Sequence, residues 1–138
     1  MSDWEKLNWN YFVDTSIQDT ADRLIRMYLG YPTIEVRENI TTDDIQEALR
    51  SGAIVMTAIN GQKIRIPYHL TPGPRHHMLL VIGYDEKTKV FTTHDPGSLN
   101  GANLKISRSK LQRALQDYPS GDGKSHLTLP PAMIVIKK

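Results

Sequence analysis

The residues of this chain whose types and spacing could do chemistry are His77 and Asp95, which stand at the two ends of one stretch, His76 to Gly97. His77 opens a continuous apolar run, Met78-Leu79-Leu80-Val81-Ile82, that passes through Gly83-Tyr84 into the charged segment Asp85-Glu86-Lys87-Thr88. A second run, Val90-Phe91-Thr92-Thr93, is rich in β-branched and aromatic residues and ends at His94-Asp95-Pro96-Gly97. Two β-prone runs joined by a short polar turn predict an antiparallel hairpin, His77 to Tyr84 with Lys89 to His94. Such a hairpin returns the end of its second strand to the start of its first. Pairing Tyr84 with Lys89 sets His77 opposite Pro96, and a turn one residue tighter sets it opposite Asp95. A carboxylate beside an imidazole selects the tautomer and stabilises the imidazolium, so the pair is a candidate general base with its orienting group. The competing reading is structural: strands end where polar residues begin, and such pairs also occur in networks with no chemistry.

A general base needs a nucleophile to serve. The chain contains no cysteine, which excludes a thiol nucleophile, a disulfide and a zinc-thiolate site within it. Ser16 stands at a helix start, where a hydroxyl could be activated, but Ser16 with Asp19 three residues on has the pattern of a cap, the commoner role. His69, His76, His77, His94 and Asp95 also suggest a site for zinc or iron. Adjacent strand residues project to opposite faces, so His76 and His77, like His94 and Asp95, cannot easily share one ion. The expectation is therefore no metal and no cofactor.

The elements that must position the pair follow from periodicity. A helix over 16–29 carries the apolar stripe Ile17, Ala21, Leu24, Ile25, Tyr28 and Leu29 and stops at Gly30 and Pro32. Residues 33–37 alternate as a strand or extended link. Thr41 or Thr42 caps a helix over 42–51 that ends at Ser51-Gly52, and Ala53 to Ile59 is a buried strand. Asn60-Gly61 is a hairpin-turn dipeptide, with Ile64 and Ile66 alternating after it. The prolines of 67–75 exclude regular structure and place that loop at the border of any cleft beside His77. After a polar turn at 97–101 come a short strand at 103–106 and a helix over 108–118, capped by Ser107 or Ser109, with Leu111, Ala114, Leu115 and Tyr118 on one face. A loop at 119–125 leads to a final strand, Ala132 to Ile136. At the amino end, Ser2-x-x-Glu5 with Trp4, Leu7 and Tyr11 predicts a short amphipathic helix over 3–12.

The His77-to-Asp95 hairpin, with Gly83-Tyr84-Asp85 closing the first strand and Pro96-Gly97 following the aspartate, resembles that of the papain-like cysteine peptidases that process double-glycine leader peptides, and of their bacterial relatives. In that family the histidine precedes the apolar run and the aspartate precedes the proline, which are His77 and Asp95 here. The segment from Asp14-Thr15-Ser16 to Asp19-Thr20-Ala21, the 42–52 helix with Ala53-Ile54-Val55-Met56, the Asn60-Gly61-Gln62-Lys63 turn and Pro72-Gly73-Pro74 are similar as well. The resemblance implies an α+β domain with a mostly antiparallel papain-like sheet and flanking helices. It implies a peptide or protein substrate, and roles for His77 as base and Asp95 as its orienter. The family's nucleophile lies on a helix N-terminal to these segments, and neither that helix nor its cysteine is recognisable in this sequence. The expected function is thus an incomplete or degenerate peptidase domain, inactive alone. The alternatives are a non-catalytic protein-binding module and a small metal-binding protein using the histidines.

At 138 residues the chain fits one domain, 1–138. A net charge of +2 with 23% charged residues argues against nucleic acid as a partner. No apolar run is long enough to span a membrane and no signal segment opens the chain, so as written it is expected to be cytoplasmic, an expectation that lapses if it is a fragment of a longer secreted protein. A papain-like domain without its nucleophile helix would leave apolar surface uncovered. The expectation is a homodimer, with Trp4, Leu7, Trp9, Tyr11 and Phe12 at the contact.

Overall fold

The computed structural model of the protein describes residues 15–30, 33–64, 75–95, 101–121 and 127–137. Its strands are β1 (Ile34–Glu38), β2 (Ile54–Ile59), β3 (His77–Asp85), β4 (Val90–His94), β5 (Leu104–Ser107) and β6 (Ala132–Ile136). They form one sheet in the order β1-β6-β2-β3-β4-β5, and every neighbouring pair is antiparallel. The long β3 lies inside the sheet; its Leu79 and Val81 are fully buried, Met78 and Leu80 are half-buried and Ile82 is exposed, so its continuous apolar run is covered on one face more than on the other.

Alternation divides the sheet into two dry layers. On one face Val55, Ile59, Leu79, Val81, Phe91, Ile106, Met133 and Val135 pack against helices α2 (Thr42–Arg50) and α3 (Arg108–Ala114) through Ile45, Ala48, Leu111 and Ala114. On the other, Ala58, Ala132 and Ile134, with Met56 and Met78, pack against the helix over 17–28, α1. Each large apolar side chain so buried contributes about 1.5–3 kcal/mol.

The helix starts are those that the capping residues announce. Ser16 Oγ accepts the Asp19 N–H at 3.2 Å. Thr41 and Asp44 close a reciprocal capping box, with the Asp44 carboxylate accepting the Thr41 N–H at 2.8 Å. Ser107 Oγ accepts the Lys110 N–H at 3.4 Å. α1 continues beyond Asp19 with wide, five-residue turns; its Leu24 carbonyl accepts from Leu29 N–H at 2.9 Å. Ile17, Ala21 and Ile25, four apart, face the sheet, whereas Leu29, expected on the same stripe, is 62% exposed.

Two expected elements are corrected. The helix over 108–118 stops at Ala114. Leu115 then bridges Ile59, Gln116 N–H donates to Ala58 O at 3.2 Å, and Asp117 bridges Leu129. Residues 115–118 are thus pulled out along the sheet, and Tyr118 joins the α1 layer while Leu115 stays in the other. Second, Ile64 lies in no strand, because β3 and β6 occupy the two edges of β2. The Asn60-Gly61 turn forms, with Lys63 N–H donating to Asn60 O at 3.0 Å. The expected 3–12 helix, with Trp4, Leu7, Trp9, Tyr11 and Phe12, lies outside the described residues, as do Ile66, His69 and Pro72-Gly73-Pro74.

Asp117 ties the first helix to the segment after α3. It is 5% exposed, and its Oδ1 accepts the Ile17 N–H at 3.2 Å. Beside it Ser16 N–H donates to Ser120 Oγ at 2.9 Å. Burial raises the Asp117 carboxyl above its ordinary value against the lowering pull of the Tyr118 and Ile17 N–H donors, and the Glu38 and Asp19 carboxylates add to the rise. An acid so raised holds its proton more tightly folded than unfolded. Its ionisation therefore destabilises the fold as pH climbs from the unfolded value of about 4 through the raised folded one. Asp117→Asn keeps the acceptor oxygen and removes the charge. The variant is expected to melt a few degrees above wild type at neutral pH, with the difference closing below about pH 4; a lower melting temperature at neutral pH contradicts this account.

Candidate active site at the base of the β3–β4 hairpin

Position in this hairpin is a matter of register, and the register has a break. β3 and β4 pair Asp85 with Val90, Tyr84 with Phe91 and Gly83 with Thr92, then Val81 with Thr93 and Leu80 with His94. Ile82 is the extra residue of a β-bulge. The expected pairing of Tyr84 with Lys89 is corrected by two residues. Glu86 to Lys89 form the turn instead, closed by the Lys89 N–H on Asp85 O at 2.8 Å with Lys89 at φ 57°. Asp85 shapes that turn by accepting the Lys87 and Thr88 N–H groups at 2.9 and 3.2 Å. The Thr88 donor, followed by the Lys87 donor, holds the Asp85 carboxyl below its usual value.

Continued one residue past Leu80–His94, the register sets Asp95 beside Leu79, and Leu79 shares its face with His77. The turn alone, without the bulge, would set Asp95 beside Leu80, on the face of His76. A slip of one residue reverses every side chain. Asp95 is thereby a diagonal neighbour of His77, within reach of a long side chain though not directly opposite. The contact is made: His77 Nε2 lies 2.8 Å from Asp95 Oδ2. The histidine side chain is 15% exposed and the aspartate 1%.

A carboxylate accepts hydrogen bonds, so Nε2 carries the ring proton and Nδ1 is the basic nitrogen. Burying a carboxylate is unfavourable by several kcal/mol unless it is paired, and here the imidazole supplies the partner. The Asp95 backbone is fixed as well, its N–H donating to Gly101 O at 3.0 Å. In chemical terms the arrangement is a base held in one tautomer and stabilised in its charged form.

The other candidates are dispersed. The His76 ring stacks on Tyr118, with centroids 4.2 Å apart at 11°. His94, paired with Leu80, turns to the face opposite Asp95. Among the described residues no three of His, Asp or Glu gather as metal ligands. Ser16 caps α1 in the layer opposite the His77 face. Thr57 and Thr93 lie on the His77 face but are wholly buried, and their hydroxyls donate to Ala132 O and Leu104 O. Neither is a nucleophile.

Two features of the site escaped the sequence reading. One is the bulge, for which Gly83, a lone glycine inside a strand pattern, was the available signal. The other is Gly101, which stood only as a turn residue.

A family model described as the Peptidase_C39 like family matches residues 5–120. The chain belongs to the Peptidase_C39-like family. The fold agrees with that of a solved structure, a Bacillus anthracis protein assigned as a C39-like peptidase, at a TM-score of 0.52 and 16% identity over 88% of this chain. This chain spans 57% of that protein's length. No curated protein matches. In this C39-like chain the family fold is present as an antiparallel sheet with helices on both faces, while the sequence holds no cysteine.

The pairing predicts how the ring titrates. A carboxylate in contact favours the imidazolium, so Asp95→Asn is expected to lower the His77 midpoint by roughly one unit or more in an NMR titration. An unchanged His77 midpoint would remove the electrostatic basis of the pair.

Proposed function

We propose that this chain is a papain-like peptidase domain that carries the base and its orienting carboxylate without the thiol they would serve, and that it does not hydrolyse peptides by itself. The observation that carries the reading is the 2.8 Å contact between His77 Nε2 and Asp95 Oδ2 in a chain of 138 residues with no cysteine. In the complete chemistry a base of this kind takes the proton of a thiol, and the thiolate attacks a peptide carbonyl. His77 supplies the acceptor for that proton through Nδ1. Asp95 fixes the ring and stabilises the imidazolium. Family membership supports a peptide or protein as the molecule the site would meet.

Among the described residues, Thr57, Thr93 and Ser16 offer no substitute for the thiol. The buried hydroxyls on the His77 face are committed to backbone carbonyls, and Ser16 is engaged as a helix cap. A triad enzyme stripped of its nucleophile loses about 10⁶ in kcat, which brings peptide turnover to background. Fluorogenic peptide assays on this chain are therefore expected to give no signal above a His77→Ala control. Turnover that disappears with His77→Ala would contradict the proposal and would mean that a hydroxyl or a bound water acts as nucleophile.

A further inference from the structure

We infer that Gly101 is a positioning residue for the His77–Asp95 pair, holding the carboxylate against the ring through the backbone of Asp95. The inference rests on the reading of that pair as base and orienter, and it concerns a residue that makes no chemistry of its own.

A Cβ built on Gly101 would lie 2.5 Å from Asp95 Cβ, 2.5 Å from Asp95 O and 3.1 Å from Asp95 Cα. No side chain fits there unless the Asp95 and Gly101 backbones move apart. The missing side chain at Gly101 is what permits the close approach of the two backbones.

The approach is close because the two backbones are bonded: Asp95 N–H donates to Gly101 O at 3.0 Å. This bond ties the chain just after β4 to the chain just before β5. It lies just beyond the last pair of the two strands, Thr93 with Leu104, and one residue out of their register. The β3 side of the pair is fixed by the sheet, since His77 is paired with Ile59 of β2. The Asp95 side lies beyond the last β4 pairs and has this bond as its backbone anchor. An ångström of movement at Asp95 is enough to break a 2.8 Å hydrogen bond.

Gly83 provides the comparison. A Cβ there would meet Thr92 Cβ at 3.7 Å, an ordinary contact, although Gly83 adjoins the bulge in the same hairpin.

The test is an NMR titration of the His77 ring in wild type, Asp95→Asn, Gly101→Ala, the Gly101→Ala/Asp95→Asn double variant and Gly83→Ala, with hydrogen exchange of the wild-type Asp95 amide. Gly101→Ala is expected to lower the His77 midpoint by at least half the drop seen in Asp95→Asn, and to add nothing in the double variant. Gly83→Ala should titrate as wild type. A wild-type midpoint in Gly101→Ala overturns the inference, as does an equal drop in Gly83→Ala. Should Gly101→Ala not fold, the exchange measurement decides: an Asp95 amide protected like those of β4 supports the anchor, and one exchanging at open-chain rates overturns it. If Asp95→Asn itself leaves His77 unmoved, the base-and-orienter reading fails first, an outcome distinct from failure of Gly101 alone.

Discussion

One extra residue in β3 decides which histidine meets the carboxylate. Side chains in a strand alternate, so the face on which Asp95 lies is fixed by the parity of the pairing between β3 and β4. The turn of Glu86 to Lys89 sets a parity that would bring Asp95 to the side of His76. The bulge at Ile82 reverses it, and Asp95 comes to the side of His77. The turn and the bulge act together. Neither alone gives the pair, and the 2.8 Å contact is the product of both.

The rest of the molecule makes that parity matter. His77 lies on the face packed by α2 and α3, where Leu79, Val81 and Phe91 are fully buried, and His76 lies on the face of α1. A one-residue slip of β4 would turn Phe91 out of this layer and bring Thr92 in, so the burial of Phe91 favours the register that the site needs. The separation of the two faces also accounts for the roles of the adjacent histidines. His76 is spent in a stack on Tyr118, a residue carried across the sheet end by the extended segment after α3. His77 is left to the carboxylate, with one tautomer selected. Asp117 and Ser120, in turn, fasten the start of α1 to that same segment.

Much of this was legible in the residues. The strand ends at His77 and His94 and the helix before Gly52 follow from local chemistry, as do the three helix starts to within a residue or two, where Ser16, Thr41 and Ser107 prove to be the caps among neighbouring candidates. So does the nearness of His77 to Asp95, which needs only a hairpin. The register was not legible, for a physical reason: β3 is apolar on both faces, so Met78 to Ile82 show no alternation from which a face could be assigned. The end of α3 was hidden in a similar way. Leu115 and Tyr118 continue a helical spacing from Leu111, yet they belong to opposite layers. The signal against a helix there was Pro119, which disfavours helical geometry at the residue before it. The neighbours of β2 depend on β6, far along the chain, and no local pattern announces a pairing of that range. Gly101 needed a structure because close approach of two backbones leaves no mark on sequence beyond the glycine itself.

The bulge is the claim on which the account of the site turns, and cross-strand backbone NOEs over residues 77–95 measure it in the native protein without any substitution. The account predicts that Tyr84 is paired with Phe91 on the turn side and that Leu80 is paired with His94 beyond the break, with Ile82 facing no partner. An unbroken ladder, in which the Tyr84–Phe91 register continues to pair Leu80 with Asp95, would contradict it.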